Sequence, residues 1–192
     1  MNILVLAPHP FYQERGSPIA LNLLLKVLSE RGDQVDVVVY SEGQEVRYDD
    51  VTIHRIYKTP LINHIRPGFS WKKVICDILM FFKAIHLVTR SRYHVVHAVE
   101  EAVYMALVIK WLFKLPYIYD MDSSLVQQMV EKYPILQLFT FFFNFFERLA
   151  VRNAIAVAPV CDALADFIHR YNPKKVVILR DISLLKGTAY EG

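Results

Sequence analysis

Ile3-Leu4-Val5-Leu6-Ala7-Pro8-His9-Pro10, followed by Gly16-Ser17-Pro18 and an apolar-periodic stretch that runs to Arg31-Gly32, is the segment whose reading decides the fold. Five consecutive apolar residues have strand length and no polar face, as in a strand covered on both sides. Ser17 offers a capping hydroxyl, Pro18 an N1 proline and Gly32 a stop, so a helix is expected between them. Strand, turn and helix form the opening unit.

The unit repeats along the chain. Gln34 to Tyr40 and Val51 to Tyr57 read as strands, joined by a polar loop or hairpin at Ser41 to Asp50. Val74, Ile78, Phe81, Phe82 and Ile85 recur at helical spacing within a helix expected from Ser70 to Thr89. A strand at His94 to Val99, a helix at Glu101 to Phe113 and a strand at Tyr117 to Met121 follow. One or two helices are expected from Ser124 to Arg152, then a strand at Ala154 to Ala158, a helix at Asp162 to Tyr171 and a last strand at Lys175 to Leu179. This alternation implies a Rossmann-like α/β fold, a mostly parallel sheet with helices on both faces. Its ligand crevice belongs at the strand C-terminal ends, near the reversal of strand order. Those ends are Pro8 to Gly16, His97 to Glu101, Asp120 to Ser124 and Ala158 to Asp162.

Composition narrows the function. The 192 residues are 54% hydrophobic with a formal net charge of +3, and the mean hydropathy is +0.26. That excludes a disordered chain and a nucleic-acid-binding arm. The length suits one domain, expected at residues 1–182, with 183–192 as a tail or the start of a linker. The longest charge-free stretch, Tyr133 to Phe146, has 14 residues, short of the roughly 20 a membrane-spanning helix takes. With no basic leader before the opening apolar run and no Cys ligand cluster around Cys76 and Cys161, a cytoplasmic protein is expected. The Phe-rich run Leu138 to Phe146 is expected to be buried on several sides, with a lipid interface as the alternative. Trp71-Lys72-Lys73, with Lys83, Arg90 and Arg92, reads as a solvated basic face or as a contact for an anionic bilayer at the inner membrane face.

The strand ends carry the chemistry. Arg15, Gly16 and Ser17 at a helix start make either an anion site for a phosphate or an ordinary capped turn. No GxGxxG stands there. His9 alone cannot hold a metal where a metal-dependent sugar deacetylase would add two aspartates. Asp120 and Asp122 form a D-x-D, a sparse metal-ligand pair that serves equally well as a helix cap and a cleft-facing carboxylate, so no metal site is assigned. Glu100 and Glu101 suit a helix start, and they also suit sugar hydroxyls, with His97 sharing a proton with them.

Several of these stretches look familiar in their order. Ile3 to Pro8 and Gln13 to Pro18, Leu28-Ser29-Glu30-Arg31-Gly32-Asp33-Gln34-Val35, His94 to Ala98, Tyr119 to Ser124 and Ala154 to Ala158 resemble the N-terminal domain of the family 4 (group 1) glycosyltransferases. The resemblance implies one half of a GT-B architecture, in which this half binds the acceptor and a C-terminal half binds the nucleotide-sugar donor. It also implies a transfer that retains anomeric configuration without a D-x-D metal, with a nucleotide-sugar as co-substrate and no other cofactor. On this reading Arg15, Gly16 and Ser17 meet the donor phosphates. His9, Glu100, Glu101, Asp120 and Ser123 meet a sugar or lipid-linked acceptor, and Asp122 and His97 are the catalytic candidates. Asp33, Val99 and Asp122 stand where the family commonly has histidine. The donor half's paired glutamates have no counterpart, so the chain is expected to be inactive without a donor domain. A separate donor chain, a homo-oligomer or a membrane surface is the expected partner, the alternative being a non-catalytic binding module.

Overall fold

The computed structural model describes residues 1–11, 16–58, 70–124 and 140–180. Six strands pair in parallel: β1 (Asn2–Leu6), β2 (Gln34–Val39), β3 (Val51–Arg55), β4 (Val95–Val99), β5 (Tyr117–Met121) and β6 (Ala156–Pro159). Their order across the sheet is β3-β2-β1-β4-β5-β6. The helices are α1 (Gly16–Glu30), α2 (Trp71–Arg90), α3 (Ala102–Phe113), α4 (Thr140–Asn153) and α5 (Asp162–His169). Order reverses between β1 and β4, so the connections leaving those two strands diverge and open a crevice at their C-terminal ends.

Side-chain alternation sorts the core into two layers. Leu4, Leu6, Val38, Val96, Ala98, Tyr117 and Tyr119 pack beneath α2, α3, α4 and α5. Ile3, Val5, Val35, Val37, Val39 and Val95 pack on the other face with Leu21, Leu25 and Leu28 of α1. Both faces are covered, which is why the inner strands read as continuous apolar runs. α1 ends as Gly32 implies. Gly32 takes φ +74°, its N–H donates to the Ser29 carbonyl and that of Asp33 to the Leu28 carbonyl, a Schellman closure. Ser70 caps α2, its Oγ accepting from the Lys73 N–H at 3.2 Å.

Four expectations need correction. The β2–β3 connection is not a hairpin, because the two strands are parallel. Ser17 is the second residue of α1 rather than its cap, since the helix begins at Gly16. Lys175 to Leu179 runs beside β6 with three backbone bonds but pairs only at Val157–Val176. Val177 and Leu179 stay exposed, so nothing packs to extend that ladder into a strand. Of the helix expected from Ser124, α4 is described and residues 125–139 lie outside the described residues, as do 183–192 of the expected tail. The Phe-rich run is not buried where it is described: α4 turns Glu147, Ala150 and Val151 inward and leaves Phe141, Phe142 and Phe145 exposed. No described helix is long and apolar enough to cross a membrane.

Candidate functional site

The C-terminal ends of β1, β2, β4 and β5 bring together two groups of polar side chains, one on each side of the sheet edge. On the α1 side, His97 of β4 and Asp120 of β5 lie on adjacent strands, Nε2 to Oδ2 at 2.9 Å. His97 is only 6% exposed, so the carboxylate satisfies a ring nitrogen that water does not reach. The sequence pairs His97 with the glutamates; the structure pairs it with Asp120. The reason is alternation: His97 and Asp120 point to the α1 face, whereas the glutamates come after the strand has ended.

Glu100 is the turning point. Its φ of +48° puts a non-glycine residue in the left-handed region, held there as its N–H donates to the Asp120 carbonyl at 2.9 Å. That twist gives the consecutive glutamates different partners while leaving Glu101 close enough to raise the Glu100 carboxyl. Glu100 faces the start of α1, where Ser17 Oγ donates to its Oε1 at 3.4 Å. Glu101 faces α2 and forms an ion pair with Lys73. Burial, the Glu101 charge and the Asp122 charge beyond the end of β5 push the Glu100 carboxyl up to about 7. Near neutrality it therefore exists in both protonation states.

On the α2 side, Tyr40 donates its hydroxyl to Asp77. Burial raises the Asp77 carboxyl to about 6, with the Tyr40 bond working against the shift. Burial alone would pull the Lys73 ammonium down, but Glu101, with Glu100 and Asp77, reverses the sign and holds it above its ordinary value. Asp77 and Tyr40 are not among the sequence candidates, and Lys73, expected on a solvated basic face or a bilayer contact, instead turns inward because Glu101 pairs with it. The signal for Lys73 was its position: with Cys76, Asp77, Met80 and Ala84 it falls on the inward stripe of α2.

The other candidates are placed as follows. Gly16 and Ser17 open α1, and a Cβ on Gly16 would meet nothing within 4 Å. Arg15 lies outside the described residues. Asp122 and Ser123 follow β5 directly, and the next residue, Ser124, donates to the buried Glu147 at 2.8 Å. His9 lies beside the α2-side group, its carbonyl accepting from the Tyr40 N–H; its Nε2 is sealed without a partner, and burial, with the Lys73 charge adding to it, lowers the ring to about 4, so it is neutral. Among the described residues, no three His, Cys, Asp or Glu side chains group to hold a metal ion.

The loop after β2 covers this end of the sheet. Gly43 takes φ +117° and lies against the Phe11 backbone, where a Cβ would collide with the Phe11 carbonyl. An open groove lined by Glu45, Tyr48 and Arg55 runs along β3, at the edge of the sheet.

Three comparisons bear on this arrangement. The fold is similar to sucrose-phosphate synthase (tll1590) from Thermosynechococcus elongatus, with a TM-score of 0.64 at 15% identity over 95% of this chain and 48% of that one. It is also similar to Arabidopsis thaliana UGT89C1 complexed with UDP, with a TM-score of 0.59 at 13% identity over 93% of this chain and 51% of that one. The chain thus spans about half the length of these two proteins, as one Rossmann-like half of a GT-B architecture. A search of curated proteins finds no match. The family model of the glycosyl transferase 4-like domain matches residues 15–180, from the start of α1 to the segment beside β6, and the chain belongs to that family.

Proposed function

We propose that this domain is the acceptor-binding half of a retaining glycosyltransferase, and that a donor-binding domain, on the same polypeptide or a separate one, faces its strand ends and supplies a nucleotide-sugar. The observation that carries the reading is Glu100. A strained, half-buried carboxyl that titrates near neutrality stands at the switch point, between the start of α1 and the His97–Asp120 pair. Ionised, Glu100 accepts a hydrogen bond from an acceptor hydroxyl. Protonated, it donates one, so it tolerates an anionic diphosphate brought to the start of α1.

Roles follow from position. The Gly16–Ser17 helix start meets the donor phosphates through backbone N–H groups and the Ser17 hydroxyl. Glu100 and Asp122 orient the acceptor hydroxyl, and the His97–Asp120 pair fixes the floor beneath them. Lys73 pairs with Glu101 and offsets the charge of that carboxylate beside Glu100. His9, sealed and neutral, contributes shape rather than charge. The chemistry of transfer needs charge stabilisation of the departing diphosphate, which this half shares with the donor half.

The test is turnover. Residues 1–192 incubated with nucleotide-sugar and glycan acceptors are expected to give neither transfer nor hydrolysis, and addition of a donor domain restores transfer with retained anomeric configuration, read by NMR. Turnover by residues 1–192 alone overturns the division of labour.

A further inference from the structure

We propose that the outer faces of α2 and α4 dock this domain on an anionic lipid surface. On α2, Trp71, Ile75, Ile78 and Phe82 recur at spacings of four, three and four residues, one outward ridge of a 3.6-residue helix. All four are exposed, Trp71 at 78% and Phe82 at 65%. Lys72, Lys83 and Arg90 follow at spacings of eleven and seven, which puts them together along one edge of that ridge. α4 repeats the pattern. Phe141, Phe142 and Phe145 turn outward, Phe141 at 86% exposure, with Arg148 and Arg152 beyond them.

Charge decides what covers these faces. The carboxylates of the two helices are Asp77 and Glu147, and both turn inward, to Tyr40 and to Ser124 with Tyr171. The outward faces therefore carry apolar and cationic side chains without an acid among them. An amphipathic surface of aromatic and basic residues binds anionic headgroups through its cations while its rings enter the acyl boundary. α1, on the opposite side of the sheet, has an ordinary exposed face on which Lys26 pairs with Glu30. α2 begins beside the site, where Lys73 pairs with Glu101, so its outward ridge starts at the site mouth. This places a lipid surface beside the site mouth, where a lipid-linked acceptor would enter; that last step rests on the acceptor reading above.

Trp111→Phe leaves Trp71 as the one tryptophan reporter, since the chain has two. With vesicles of phosphatidylglycerol and phosphatidylcholine, Trp71 emission is expected to shift to the blue and to be quenched by brominated acyl chains. Vesicles of phosphatidylcholine alone are expected to bind far more weakly. Ile78→Glu with Phe82→Glu, both exposed in the fold, is expected to weaken partitioning by at least about tenfold. Lys83→Glu with Arg90→Glu is expected to abolish the preference for anionic vesicles. Glu100→Gln is expected to bind vesicles as well as the parent, which separates failure of docking from failure of the acceptor reading. The proposal is overturned by absent binding to anionic vesicles, by binding that the Ile78/Phe82 variant retains, or by a solution dimer in which Trp71 is shielded without lipid.

Discussion

His97 and Asp120, 23 residues apart in sequence, meet across neighbouring strands at 2.9 Å and close the floor of the strand-end crevice. The contact follows from parallel register. β4 and β5 align His97 with Ile118 and Val99 with Asp120, so the two side chains project to the same face about one residue pair apart.

That pair gives the first prediction. Asp120→Ala strands a buried imidazole, and a buried polar group without a partner costs about 1–3 kcal/mol. Urea denaturation should show an unfolding free energy lowered by that amount for Asp120→Ala and a smaller loss for Asp120→Asn, which keeps an acceptor oxygen. Equal stability of all three proteins contradicts the role given to the pair.

The second prediction concerns pH. Glu100 keeps its proton up to about 7 and Asp77 up to about 6, both above their unfolded values, so each favours the folded state in acid and loses that contribution as pH rises through its folded value. His9, lowered to about 4, works the other way, adding stability as pH rises from there to its unfolded value. Near pH 6 the His9 gain opposes the Glu100 loss, so the difference between the parent and Glu100→Gln isolates the Glu100 contribution. Glu100→Gln should gain on the parent progressively as pH rises from 6 to 8, read from thermal midpoints across that range. Parallel profiles for the two proteins would remove Glu100 as the titrating group.

The two layers of the core were readable in advance and the polar cluster was not, for a physical reason. Ile3 to Ala7 and Val95 to Val99 are apolar at every or nearly every position, and only burial on both faces explains such runs, so β1, β4 and the Rossmann order followed. Lys73 could not be placed the same way. It lies between Lys72, which faces outward, and an inward stripe whose direction depends on the axial rotation of α2, and neighbouring positions 100° apart have opposite fates. The different partners of Glu100 and Glu101 hang on one backbone torsion, φ +48°, in a residue type that seldom adopts it. The Phe-rich α4 misled because its inward stripe is made of Glu147, Ala150 and Val151, with the carboxylate satisfied by Ser124 and Tyr171. Apolar count alone pointed to the wrong face.

A third prediction tests Lys73 and Glu101 as a unit. Lys73→Met and Glu101→Gln each leave a half-buried charge facing other charges, whereas the double variant leaves neither. A double-mutant cycle in urea is expected to give a coupling of about 1–3 kcal/mol. Additive losses would show that the ion pair does not hold Glu101 in place.

A fourth addresses the loop over the crevice. Gly43→Ala forces a side chain into φ +117° and against the Phe11 backbone. The backbone term alone costs about 1–3 kcal/mol. The β2–β3 loop should then lift from Phe11, seen as faster amide exchange at Tyr40, whose N–H donates to the His9 carbonyl. Gly16→Ala, with open space around it, should leave stability within about 0.5 kcal/mol of the parent.

Sugar acceptors are expected to bind at the strand ends of this half, on the side that Glu100 faces. Backbone amide NMR of isotopically labelled residues 1–192, titrated with glycan acceptors, reads that binding residue by residue. Shift changes should concentrate at Ser17, Glu100 and Asp122, be absent along β3, and be lost in Glu100→Gln. Shifts confined to the β3 groove, or unchanged by Glu100→Gln, would rule out acceptor binding at the strand ends.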